Sequence, residues 1–254
     1  MLTLATFDGF DHYSPMLRLS TLNLLFLSPN QMLLVSTPRG NLYIEMKKPK
    51  PYHHGNLQEV LLESTISLIA EVGPAGFTLR EVARRAGVSH NAPYRHFRDK
   101  DALLADVAAQ GYKELAQAMS RVADRESDAL EALKQAGLAY ISFALRRPEH
   151  FTVMFEAQFS KDSNPEAVEV SEHAFAVLIG LVRNCREKGR IRIENDLDFA
   201  LLAWTMVHGI AKLAITQRLP YRSRAKTLTF ARFVIDTSLG SPNSGKYPSK
   251  LFSN

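Results

Sequence analysis

Residues 78–97 read TLREVARRAGVSHNAPYRHF, and the reading of this stretch decides the fold. Thr78 is followed three residues later by Glu81, the spacing of a capping box in which each side chain satisfies a free backbone N–H at a helix start. Phe77 and Val82 stand where a hydrophobic staple closes over that cap. Leu79, Val82, Ala83 and Ala86 recur at helical spacing and form one apolar stripe. Gly87 stops the helix, because glycine enters the left-handed region without steric cost. Val88 plugs the corner, and Ser89 or Asn91 is placed to cap a second helix. Pro93 confines that helix start to the same few residues, since proline is tolerated only in a first turn. The second helix offers His90, Asn91, Ala92, Tyr94, Arg95 and His96, a dense set of base and phosphate binders with few acids among them. Helix, glycine turn, basic polar helix: the pattern is a helix-turn-helix.

Downstream, Arg98-Asp99-Lys100-Asp101 leads into a long helix that runs to about Ala123. Leu103, Leu104, Val107, Ala108, Tyr112, Leu115 and Met119 give it an apolar seam. Lys100 falls in its first turn, where the helix dipole disfavours a cation. A phosphate arriving there would meet both free N–H groups and an ammonium, so the local conflict points to DNA. Upstream, Leu57, Leu61, Leu62, Ile66, Leu68, Ile69 and Val72 make the buried face of a helix capped at Gly55-Asn56 and ended by Gly73-Pro74-Ala75-Gly76. Lys47, Lys48 and Lys50, interleaved with Pro49 and Pro51, form a short basic arm that suits phosphate or minor-groove contact, or simply a frayed polar terminus.

The run AGVSHNAPYRHFRDKDALL, with HHGNLQEVLLESTISLIAEVG before it, resembles the DNA-binding signature of the TetR family of bacterial transcriptional regulators. The resemblance covers residues 52–113. Ala92-Pro93 departs from the pair usual before the tyrosine, so base preference does not carry over. Within this head, Thr78, Tyr94, His96 and Lys100 are the expected phosphate holders. His90, Asn91 and Arg95 are the candidate base readers, Ala92 suits a thymine methyl, and Arg80 fits either role. The resemblance further implies an all-α chain, with the three-helix head joined to a helical ligand-binding and dimerisation domain at residues 126–240. Double-stranded operator DNA, a small-molecule effector and a second copy of the chain are the implied partners, and a repressor the implied role.

Charge follows the same division. Residues 46–113 carry 10 Lys and Arg against 7 Asp and Glu, residues 114–217 carry 12 against 15, and residues 218–254 carry 7 against 1. A basic head on an acidic middle suits a DNA reader attached to a domain that does not touch DNA. Helical patterns continue over residues 129–146, 150–159, 165–188, 197–218 and 223–239. The Gly/Ser/Pro-rich residues 241–254 read as a loose tail. The helix at 197–218 contains AWTMVHGIA, which resembles a Trp-His-Gly signature found in a subgroup of these regulators. Trp204 and His208 share a helix face at i and i+4, and mid-helix Gly209 suggests the close approach of another helix.

No phosphate-cradling glycine loop, nucleophile elbow, HExxH or Cys-x-x-Cys occurs, so no catalytic residue, metal site or cofactor is expected. The single Cys185 excludes an internal disulfide and reads as a small packing residue in a reducing, cytoplasmic setting. Function is then binding. Phe143, Phe151, Phe155, Phe175, Trp204 and His208 are the candidate walls of an effector pocket between helices, with Met154, Phe159 and Met206 nearby in the pattern. The rival classes are a small-molecule enzyme with an accessory DNA-binding head, and an architectural DNA-binding protein without ligand control. Residues 1–45 contain two apolar patches, 22–27 and 32–35, each far short of a membrane span and poorly arranged for a signal peptide. They read as an extension upstream of a true start at Met46.

Overall fold

The computed structural model describes residues 32–36, 42–46, 57–158 and 164–239. The arm at 47–51, the adjacent His53 and His54, the Gly55-Asn56 cap, Phe159 and the tail at 241–254 lie outside these residues. In the upstream stretch, β1 (Met32–Ser36) and β2 (Leu42–Met46) form an antiparallel pair with Met32 opposite Met46. The sequence reading placed no element there.

From Leu57 onward every regular element described is helical, in agreement with the expected all-α class. α1 (Leu57–Val72) buries Leu61, Leu62, Leu68 and Ile69, but Val72, expected inside, is 53% exposed. The helix rotates Ser64 and Thr65 inward instead, where the Thr65 hydroxyl donates to the Leu61 carbonyl at 2.8 Å. α2 (Leu79–Arg85) carries the full capping box, and Gly87, at φ +68°, ends it as the Val88 N–H reaches back to the Ala83 carbonyl.

The second helix of the motif is a short 3-10 helix, not the α-helix its composition suggested. Residues after Ser89 form turns and one 3-10 turn, Pro93–Arg95, without a side-chain cap from Ser89 or Asn91. Pro93 has no N–H to offer the Ser89 carbonyl, so the Ala92 N–H takes it at 2.9 Å in i→i+3 spacing, and the tighter winding continues to His96.

α3 (Lys100–Ala123) runs 24 residues, about 36 Å at 1.5 Å per residue, capped by the Asp99 carboxylate on the Ala102 N–H. Behind it come α4 (Ala129–Arg146), α5 (Pro148–Glu156), α6 (Pro165–Glu187), α7 (Asp196–Ile215) and α8 (Arg224–Leu239). α5 starts two residues earlier than its apolar pattern because Pro148 occupies the first turn. α3 packs on α4, α5 and α6, while α4 packs on α7 and α8. Lys134, 4% exposed, is held by Asp236, and Arg232 grips Glu131 with two hydrogen bonds of 2.6 and 2.9 Å, so ion pairs fix α8 on α4. Cys185 is the packing residue expected, its thiol donating to the Ala129 carbonyl.

His150 on α5 is 4% exposed and its Nδ1 has no hydrogen-bond partner among the described residues. Burial, then Arg147, holds its pKa below 6.5, against the weaker pull of Glu114 and Glu149. The unfolded chain therefore binds this proton first, and stability falls as pH drops below about 6.5. Urea unfolding midpoints are expected to decrease from pH 7 to pH 5, with a shallower decrease in His150→Leu. An unchanged slope in that variant would contradict the assignment.

Candidate DNA-reading face and effector cavity

The head exposes what the sequence assigned to DNA. Thr78, Arg80, His90, Asn91, Tyr94, Arg95 and His96 are all exposed, and Ala92 is half-buried. They surround a turn pinned from below by Phe97 and Pro93, both buried. The Glu81 carboxylate takes the Thr78 N–H at 2.7 Å, and its pKa is lowered first by that bond. Arg80, Arg84 and Arg95 form no ion pair with any described residue. Arg85, by contrast, is committed to Glu71 through bonds of 2.6 and 2.5 Å and to Ser67 at 2.7 Å. Arg84 was missed in the sequence reading, although it stands one turn after Arg80 on α2 and is exposed beside it.

Lys100 departs from its expected role. Its ammonium donates to the carbonyls of Ala75 at 3.0 Å and Phe77 at 2.8 Å and sits 4.3 Å from the centre of the Phe77 ring. Burial lowers its pKa, opposed by Asp101 and Glu81. The cation at a helix N-terminus is thus accommodated by two backbone acceptors and an aromatic face, with no phosphate needed. Lys100 is a strut between α3 and the segment that enters α2.

In the body, a cavity of about 270 Å³ lies among α3 to α8. Phe155, Phe175 and Trp204 line it, as does Met206. Phe143 and Phe151, 0% and 1% exposed, do not: they are core behind the wall. His208 does not line it either. It stands one layer back, stacked on Phe151 with ring centres 5.3 Å apart and 5.6 Å from Trp204.

The residue that joins these groups is Tyr140 on α4, which the sequence reading passed over. Its hydroxyl accepts from Trp204 Nε1 at 3.1 Å and lies 2.8 Å from His208 Nδ1. Burial raises the Tyr140 pKa and lowers that of His208, where Lys212 adds to the effect. Both groups therefore stay neutral near pH 7, and the hydroxyl ties α4 to α7. Tyr112 on α3 also lines the cavity, with Leu115, Met119, Leu133, Ile235 and Leu239. The legible signal was the run of small residues Ala136-Gly137, one turn before Tyr140, because space opens where side chains are small.

Among the described residues no group of three or more His, Cys, Asp or Glu is arranged to hold a metal. Tyr140→Phe leaves Trp204 Nε1 and His208 Nδ1 unpaired. It is expected to destabilise the protein by about 1–3 kcal/mol in urea unfolding and to shift the Trp204 emission. Unchanged stability and emission would show that the three groups do not act together.

Residues 61–107 match the family described as "Bacterial regulatory proteins, tetR family", and residues 133–237 match "Tetracyclin repressor-like, C-terminal domain". A curated relative, the "Probable acrEF/envCD operon repressor" of Escherichia coli K12, is 26% identical over 153 residues, 57% of this chain and 69% of that protein. A solved structure from Rhodococcus sp. RHA1, of unknown function, is 33% identical with a TM-score of 0.64, covering 76% of this chain and all of that one. FadR of Bacillus subtilis, solved with stearoyl-CoA, shares the fold at 14% identity and a TM-score of 0.62, over 72% of this chain and 97% of that one. With both parts matched, and with an exposed cationic helix-turn-helix ahead of a helical body, the chain belongs to the TetR family of DNA-binding transcriptional regulators.

Proposed function

We propose that the chain is a ligand-responsive repressor that acts as a homodimer on a near-palindromic operator in the cytoplasm. Its output is occupancy of DNA, not turnover. The observation that carries this reading is α3: one unbroken helix whose first turn braces the DNA head through Lys100 and whose middle lines the cavity through Tyr112, Leu115 and Met119. Two heads would set their 93–95 turns in successive major grooves, about 34–36 Å apart. Arg80, Arg84, Tyr94, His96 and Thr78 are placed to hold phosphates. His90, Asn91 and Arg95 are placed to reach base edges, with Ala92 beside them.

The dimer surface is assigned to α7 with α8. α7 is long and apolar enough to cross a membrane by length and composition, at mean hydropathy 1.3 over its most apolar window. Its inner face, Ala200, Ala203, Val207, Ile210 and Ala211, is buried in the body. Its outer face leaves Leu197, Leu201, Leu202 and Leu213 exposed. Leu202, Thr205, Gly209 and Leu213 fall on one stripe by their spacing. Gly209 was expected to meet another helix, but a Cβ there would touch nothing described within 4 Å. The close approach is therefore assigned to a second copy, which would cover the leucines as well.

An effector that fills the cavity would bias α3 toward a spacing of heads that the operator does not accept. This requires different effector affinities in the two states. FadR of Bacillus subtilis, with its stearoyl-CoA, supports an effector site in this body without fixing its ligand.

In gel-shift titrations, Asn91→Ala is expected to relax preference at one base pair by about 1–3 kcal/mol. Arg84→Ala is expected to weaken all sequences alike and to shallow the salt dependence. Unchanged affinity in both would overturn the reading head. Leu202→Glu is expected to convert a dimer into a monomer by light scattering, and a dimer persisting in it would move the interface elsewhere.

A further inference from the structure

We infer that the cavity selects an uncharged, elongated hydrophobe and rejects carboxylates and ammonium ions built on the same skeleton. This rests on the cavity being the effector site. Its shape comes from two antiparallel helices. Tyr112 to Met119 on α3 and Leu133 to Tyr140 on α4 are each eight residues along the wall, a slot about 10 Å long at 1.5 Å per step. One end is aromatic, with Tyr112, Tyr140, Phe155 and Trp204. The other is aliphatic, lined by Met119, Leu133 and Leu239.

Charge decides the class. No Asp, Glu, Lys, Arg or His lines the slot among the described residues. On α7, Lys212, one turn beyond His208, is paired with Glu156. Tyr112 stays neutral, its pKa pushed up to about 12 by burial.

The polar atoms carried by the wall are also engaged within the protein. The Tyr112 hydroxyl donates to the Met154 carbonyl at 2.6 Å and Ser171 donates to the Val168 carbonyl at 2.7 Å. Trp204 Nε1 is spent on Tyr140, and Tyr140 is shared with His208. An entering carboxylate would lose its hydration and find neither a counter-charge nor an unused donor. A methylene would lose nothing and gain the transfer free energy of leaving water. The slot therefore discriminates by desolvation: it accepts chain and ring, and leaves charged groups outside.

Trp204 is the single tryptophan of the chain and lines the slot, so its emission reports occupancy directly. The full-length protein is titrated with 1-octanol, octanoate and octylamine at pH 7.5. Saturable quenching by 1-octanol at an affinity at least about tenfold tighter than either ion supports the inference. Octanoate or octylamine within about threefold of 1-octanol, or no saturable response to 1-octanol, overturns it.

Two variants guard the interpretation. Ala174→Phe fills the slot and is expected to abolish the response with helicity by circular dichroism unchanged; Ala174→Leu replaces it should the larger ring prevent folding. Leu178→Arg, at a half-buried wall position, is expected to bring octanoate ahead of 1-octanol. The ionic order staying as in the unsubstituted protein would contradict selection by desolvation. Operator binding is measured without any probe: protein that binds operator but prefers octanoate refutes the ligand class alone, and protein that takes 1-octanol but ignores operator refutes the regulator reading alone.

Discussion

An ammonium held between two backbone carbonyls organises this molecule. Lys100 opens α3, and its bonds to Ala75 and Phe77 pin the start of that helix against the segment that delivers the chain into α2. A charged hydrogen bond of this kind contributes about 1.5–3 kcal/mol, and two of them at a half-buried position resist sliding as well as separation. Phe77, under the ammonium, is itself buried in the head's core, so the clamp joins backbone, ring and helix end. α3 continues from there without a break into the body. The residues of its middle, Tyr112, Leu115 and Met119, line the cavity. One helix thus carries both the contact with the head and a wall of the cavity.

Much of this was legible from local chemistry. The capping box at Thr78 and Glu81, the left-handed Gly87, and the end of α1 at Gly73 were all readable, because caps and glycine turns are set by a few neighbouring residues. The misreadings have a common cause. The 93–95 segment scored as a helix by side-chain composition, yet one missing N–H at Pro93 rewound it as a 3-10 turn. Lys100 looked free for phosphate because its partners lie 23 and 25 residues away in sequence. Partners so distant are invisible to any periodicity.

The cavity shows the same limit more sharply. Bulky side chains were taken as the walls of an effector pocket, and three of the six, Phe155, Phe175 and Trp204, line this cavity. Phe143 and Phe151 are fully buried in the core behind it and do not line it. Space is made by the small residues opposite, Ala136, Ala174 and Ala203 among them, while the Tyr140 hydroxyl links wall residue Trp204 to His208 behind it. Trp204 and His208 share a face of α7, as their spacing required, but only one of them faces the void. The outer face of α7 is a separate matter, with exposed leucines about a glycine that nothing described in this chain covers.

The central claim is that filling the body is felt at the reading head through α3. Amide hydrogen exchange followed by mass spectrometry tests it most directly, comparing free protein with protein whose Trp204 emission shows the slot saturated by 1-octanol. Altered exchange is predicted in two places: the α3 turns beside the slot, and residues 75–104, where Lys100 braces the head. Altered exchange confined to α3 to α8 around the cavity, with residues 75–104 unchanged, would contradict it.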